Sequence, residues 1–217
     1  MLSQFLMISR PWWIKWLPVL SYLWLVLTVL IAGAFYPDYS HVSQYMSELG
    51  ASGAPHAWSV NYLGFVPTEL LLLVFLALLL PVLPQTVPLR LGIGLLGLYA
   101  IMLLGASVFT CDFECRPTRA TFAHGLHITL GAFAYLAGIA GVLLVAVSAR
   151  SWPNGFPLTL SGVAIAILCF GLLLNLNPQL PWVGLMQRLM ETLMYLWFIL
   201  LGRYGAGLPL VRSQALL

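Results

Sequence analysis

The sequence predicts an all-α fold: a polytopic membrane bundle of six transmembrane helices with both termini cytoplasmic. Two observations carry that reading. Of 217 residues, 61% are hydrophobic and only 7% are charged, whereas about a quarter of a soluble domain is charged. The apolar residues also fall into six runs, each near the ~20 residues needed to cross a bilayer. Helices follow, because backbone in lipid must satisfy its own hydrogen bonds. No polar segment is long enough to fold separately, so residues 1–217 read as one domain. A net charge of +3 without a basic cluster gives no footprint for nucleic acid. Membrane lipids are the expected partners.

The first span covers about 16–36. Arg10 and Lys15 precede it, and Ala32-Gly33-Ala34 resembles a signal-peptidase site, but the apolar core is long enough for a retained span. The second covers about 59–80 and ends at Pro81 and Pro84. The third runs about 88–110, the fourth 119–148, the fifth 157–175 and the sixth 183–208. Prolines 37, 55, 84, 88, 117, 153, 178 and 181 mark the turns. Glycines 92, 94, 97, 105, 125, 131, 138 and 141 suit close helix packing.

Orientation follows from the nine Lys and Arg residues. With the N-terminus inside, Arg10, Lys15, Arg90, Arg150, Arg203 and Arg212 are cytoplasmic. Arg116, Arg119 and Arg188 lie outside or toward the outer end, a bias that obeys the positive-inside rule. A multi-pass protein of the cell (inner) membrane is expected, with loops 37–58 and 111–118 outside. All six carboxylates and all four histidines then lie in the outer loops or inside spans. A functional site is expected there.

The segment CDFECRPTRATFAHGLH, residues 111–127, is the richest in chemistry. His124 and His127 are three apart on a helix and share a face. Three readings of the cysteines stand. Cys111 and Cys115 form a disulfide in an oxidising compartment; with the histidines they bind a metal such as zinc; or they are free thiols. Cys169, deep in the fifth span, reads as an apolar filler. Arg116 and Arg119 either pair with Asp112 and Glu114 or hold an anionic substrate group. In the second span, Asn61, Thr68 and Glu69 are polar in a place where polarity is costly. Arg188 is expected to pair with Glu191 or bridge to Glu69. Residues 47–58, SELGASGAPHAW, supply Ser47, Glu48 and His56. The turn is secure from Gly50, Gly53 and Pro55. Glu48 is the residue that shares a membrane face with Asp112, His124 and His127, while His56 reads as a surface residue.

The order of these features resembles a known family. YPDYSHVSQYMSELGASGAPHAWSVNYLGF after the first span, then CDFECRPTRATFAHGLH after the third, is similar to a bacterial and archaeal family of six-helix membrane proteins described only as a domain of unknown function (998). The resemblance covers nearly the whole chain and implies the six-helix fold. A looser likeness links the Ser-acidic turn and following proline to eukaryotic six-helix lipid-remodelling proteins. The seven-helix ceramidase-like hydrolases set three histidines, an Asp and a Ser around zinc. Here no HxxxH occurs in the sixth span and only two histidines share a span.

Two functions are therefore expected to compete. One is an intramembrane lipid-modifying hydrolase or lipid-remodelling protein. Its catalytic set would be His124, His127, Asp112, Glu48 and Ser47, with zinc or another divalent metal on His124 and His127. Arg116, Arg119, Asn61 and Glu69 would contact substrate. The other is a non-catalytic lipid or small-molecule binding or transport protein whose outer polar groups form a structural latch, Glu48 pairing with Arg116 or Arg119. Convergence around a cavity favours the first, and private partners for each group favour the second.

Overall fold

A computed structural model describes residues 2–208, so Arg212 lies outside the described residues. Among these residues all regular structure is helical. The six long helices are α1 Leu2–Ala34, α2 Ala57–Val82, α3 Val87–Val108, α4 Phe122–Ala149, α5 Phe156–Leu173 and α6 Val183–Ala206. The first five are long and apolar enough to cross a membrane. The sixth has the length, 24 residues, but carries Gln187, Arg188, Glu191 and Arg203. The reason is its position. Gln187, Met190, Glu191, Met194, Tyr195 and Phe198 are all buried, a stripe at helical spacing that faces the bundle interior.

Each helix packs on the next in sequence, and α6 returns to α1, so the six close into a ring. Short loops at 83–86 and 150–155 join helices at one end. The longer segments 35–56, 109–121 and 174–182 gather at the other. The α3–α4 contact is made at backbone distance. A Cβ on Gly92 would lie 3.1 Å from the Gly141 carbonyl, and one on Gly141 would lie 2.9 Å from the Gly92 carbonyl. Gly94, Gly97, Gly125 and Gly131, grouped with them in the sequence, face open space.

Prolines inside helices free carbonyls, and the fold uses them. Pro67 has no N–H to give to Leu63, four residues back. The Leu63 carbonyl accepts from the Trp24 indole at 2.9 Å instead. Just before it, Val60–Phe65 winds as a π-helical turn, with the Val66 N–H bonding back to Asn61. Pro18 likewise leaves the Ile14 carbonyl without its helical donor, and Gly202 of α6 packs against it.

Candidate functional site

Residues 35–56 do not merely turn a corner. Their central part, the 3-10 turn Met46–Gly50, plugs the loop end of the ring. Glu48, Leu49 and Ala51 have no exposed surface. The turn is tied down on every side. Met46 N–H donates to Gln187 Oε1 at 2.8 Å, Asn61 Nδ2 donates to the Gly50 carbonyl at 2.8 Å, and Ser52 N–H donates to the Cys111 carbonyl at 2.8 Å. The Leu185 N–H, in the first turn of α6, finds the Val42 carbonyl at 2.9 Å.

Glu48 is the keystone of this lid. Its Oε1 accepts from Tyr45 N–H at 2.9 Å, and its Oε2 accepts from Gln44 Nε2 at 2.9 Å. Arg116 stands 3.5 Å away, the one salt bridge among the described residues. Burial pushes the Glu48 carboxyl above its ordinary range, partly offset by the two hydrogen bonds and the Arg116 charge. Arg116 therefore pairs with Glu48 rather than with Asp112 or Glu114. Arg119 is exposed and has no salt bridge among the described residues. Arg188 joins neither Glu191 nor Glu69, contrary to expectation. It reaches along the lid instead, donating to the Gln44 carbonyl at 2.9 Å and to the Tyr39 hydroxyl, with His41 Nδ1 at 3.2 Å. The lid presents these three groups where α6 begins, within reach of Arg188. Burial drives the Tyr39 phenol to about 12, although Arg188 pulls the other way, and burial lowers His41.

The second loop is stitched independently. Cys111 and Cys115 form a disulfide, and Cys169 is a free, buried thiol pointing at the Met190 carbonyl. Asp112 caps α4 from a distance. Its carboxylate accepts from Thr121 N–H at 2.9 Å and from the Thr121 hydroxyl at 2.7 Å, and these bonds lower its pKa. Thr121 in turn caps α4 through His124 N–H at 3.2 Å. His124 Nδ1 accepts from Asp112 N–H at 3.3 Å. His127 turns elsewhere. Its Nδ1 contacts two carbonyls, Ala106 at 2.8 Å and Phe109 at 3.0 Å. Both partners only accept, so Nδ1 carries the proton and Nε2 keeps the lone pair. The two histidines thus share a helix face without sharing a partner. The group with metal-ligand proximity is Cys111, Cys115 and His127, without His124.

Below the lid lies a polar chamber that the loops only roof. A cavity of about 90 Å³ is lined by Met46 and Ser47 from the lid, Asn61 and Glu69 from α2, His127 and Tyr135 from α4, and Gln187 and Glu191 from α6. Glu191 Oε2 accepts from the Tyr99 hydroxyl at 2.7 Å. Gln187 links the chamber to the lid, taking Met46 N–H and giving its Nε2 to the Tyr135 hydroxyl at 3.2 Å. Glu69 is 5% exposed, and its Oε2 has no hydrogen-bond partner among the described residues. Two grooves adjoin the chamber from the sides. One, about 340 Å³, runs between α1 and α6 and shares Leu25, Met46 and Glu191 with it. The other, about 240 Å³, lies against α4 and the end of α5 and shares Ser47, His127, Tyr135 and Gln187.

The structure brings Ser47, Asn61, Glu69 and His127 to one cavity. It leaves Glu48, Asp112, His124, Arg116 and Arg119 in the roof. Glu191, expected to pair with Arg188, lies on the chamber wall with Gln187 and Tyr135, which the sequence did not single out, and Tyr99 donates to it from behind. A signal was present: Gln187, Glu191 and Tyr195 stand four apart on one face of α6. His56 is exposed, as expected.

No curated protein and no solved structure matches the chain significantly. A family profile does, described as protein of unknown function (DUF998), over residues 19–204. That stretch holds α2–α5, nearly all of α6, about half of α1, the lid and the disulfide loop. The chain belongs to the DUF998 family and is a multi-pass helical membrane protein.

Proposed function

We propose that the protein binds an amphiphile from the bilayer, with the tail in a lateral groove and the polar head in the chamber. The observation that carries this reading is the shared wall. Leu25, Met46 and Glu191 line both the chamber and the α1–α6 groove, so a molecule held in the groove borders on Glu191 and the chamber wall without crossing the lid. Size assigns the parts. A chamber of about 90 Å³ holds a few water-sized groups, whereas the adjoining groove of about 340 Å³ has room for a chain segment. Chemistry assigns the head. The orphaned Glu69 Oε2, beside Glu191, asks for a donor, so the head carries a hydroxyl or an ammonium. Buried ionisable residues of this kind mark substrate paths in membrane proteins.

The reading includes the sidedness drawn from the cations: an inner-membrane protein with the lid and residues 111–118 extracytoplasmic. It favours binding or transport over hydrolysis, because Glu48, Asp112 and His124 each have a private partner. The lid is then the latch.

Lipid retained on the purified protein tests it. Native mass spectrometry in mild detergent is expected to show one tightly held amphiphile per chain. Leu25→Trp, which fills the shared wall, should release it, and Glu191→Gln should weaken it. No bound species, or one indifferent to both substitutions, would refute the proposal.

A further inference from the structure

We infer that Cys111, Cys115 and His127 form a site for a zinc-class divalent ion, closed by the disulfide and opened by its reduction. The inference does not depend on what the chamber binds. One ligand atom from each of the three residues lies within 4.8 Å of the others. Tetrahedral zinc, with bonds of ~2.0–2.3 Å to nitrogen and sulfur, needs donors roughly 3.3–3.8 Å apart. Rotation about the Cα–Cβ bonds of the cysteines covers that difference once the sulfurs are separate.

A second observation points the same way. A ligating histidine nearly always donates its other ring N–H to a carbonyl or carboxylate, which fixes tautomer and ring orientation. His127 already does so, with Nδ1–H held between the carbonyls of Ala106 and Phe109. Nε2 is thereby left as the free donor. The neighbouring His124 lacks this preparation, since its Nδ1 accepts from Asp112 N–H. Both cysteines are buried, Cys111 wholly and Cys115 to 7% exposure. Cys115 and His127 line the 240 Å³ groove together with Ser47, whose Oγ is 3.6 Å from Cys115 Sγ. The groove is the entry path, and the Ser47 hydroxyl stands beside Cys115 along it.

The chemistry balances. A dithiol or phosphine reductant gives two electrons to the S–S bond. With two protons, the bond becomes two thiols, and the reductant becomes its own disulfide or phosphine oxide. The divalent ion then takes both sulfurs as thiolates and releases two protons. A small-molecule disulfide reverses this: it takes two electrons from the thiolates and, with two protons, becomes two thiols, while the Cys111–Cys115 bond re-forms and the ion, its thiolate ligands gone, is expelled.

Cobalt(II) is the probe, read by the thiolate-to-cobalt absorption, with zinc content by elemental analysis as a second readout. The wild-type protein in detergent is titrated before and after phosphine reduction. The oxidised protein should bind no cobalt at this site. The reduced protein should bind one equivalent per chain and lose it on reoxidation. His127→Ala should weaken binding by at least about tenfold, and Cys169→Ser should change nothing. The absence of a thiolate–cobalt band in the reduced protein would overturn the inference. So would a band that survives His127→Ala unaltered, or one that requires Cys169. Because oxidised and reduced samples share one sequence, a variant that misfolds does not blunt the test.

Discussion

Glu48→Ala should open the lid without unfolding the bundle. Glu48 has no exposed surface, and its two oxygens accept from Tyr45 N–H and Gln44 Nε2, both at 2.9 Å. Truncation strands both half-buried donors beside a position that has no exposed surface. A hydrogen bond to a charged group is worth about 1.5–3 kcal/mol. Two such bonds, less the burial cost that the carboxylate no longer bears, leave about 2–4 kcal/mol. Arg116 adds little, because its side chain is 39% exposed and such pairs contribute at most about 1 kcal/mol. Each 1.4 kcal/mol is tenfold in an equilibrium. Amide hydrogen exchange in residues 46–52 should therefore accelerate roughly 30- to 1,000-fold, while α3 and α4 keep their protection.

The wild-type lid should also respond to pH with a definite sign. Burial raises the Glu48 carboxyl above its ordinary value of 4.5 in the closed lid. The closed state then binds the proton more tightly than the open one. Closure is most favoured below the ordinary value and is lost progressively as pH rises through the raised one. Exchange rates divided by intrinsic chemical rates give the readout. Protection that climbs with pH across that window would refute the reasoning. So would unchanged exchange in Glu48→Ala, or a loss shared equally by all six helices.

Other expectations follow from the same contacts. Asp112 should behave oppositely to Glu48: hydrogen bonds from Thr121 lower its pKa, so order in residues 111–121 is present at neutral pH and lost as pH falls through the lowered value. Loop-specific exchange on acidification checks this. Gly50→Ala should unseat the lid, since the new Cβ would collide with the Asn61 side-chain amide that holds the Gly50 carbonyl; the same exchange measurement reads it. Gly92→Ala should cost about 1–3 kcal/mol through overpacking against α4, whereas Gly94→Ala, with nothing within 4 Å, should leave the melting temperature in detergent unchanged.

The fold was legible because lipid leaves the backbone few options. Six apolar runs predicted six helices, and most observed ends fall within a few residues of those expected. The exception is α1, which begins at Leu2 rather than near residue 16 and continues through Pro11 and Pro18. A proline costs a helix one hydrogen bond, and here a neighbouring helix packs on at least one freed carbonyl, which local sequence does not reveal. The disulfide was legible from spacing as one of three readings. The partner of Arg188 was not. On its own helix Glu191 is the obvious mate, three residues away. The competing demand came from the lid, whose carbonyl at Gln44 lies 144 residues distant in sequence.

The chamber was legible in part: Ser47, Asn61, Glu69 and His127 are candidates in the sequence, whereas Gln187 and Tyr135 are not. Polar residues are densest in the loops, at 38–48 and 111–119. Density there reflects loop construction: Glu48, Asp112 and Arg116 satisfy backbone or one another. The sparse polar residues of the spans carry the stronger message, because each must justify its burial with a partner. Glu191 has Tyr99, and Gln187 has both Tyr135 and the lid. Glu69 Oε2 has none among the described residues, and its position on the chamber wall makes it the group through which an occupant would be recognised. Gln187 touches the lid with its oxygen and the chamber with its nitrogen. A change in what the chamber holds therefore reaches the Met46 backbone through this side chain, in addition to direct contact with Met46 and Ser47 on the wall. Gln187→Leu should weaken that coupling, shrinking the difference in lid exchange between the empty and the amphiphile-bound protein.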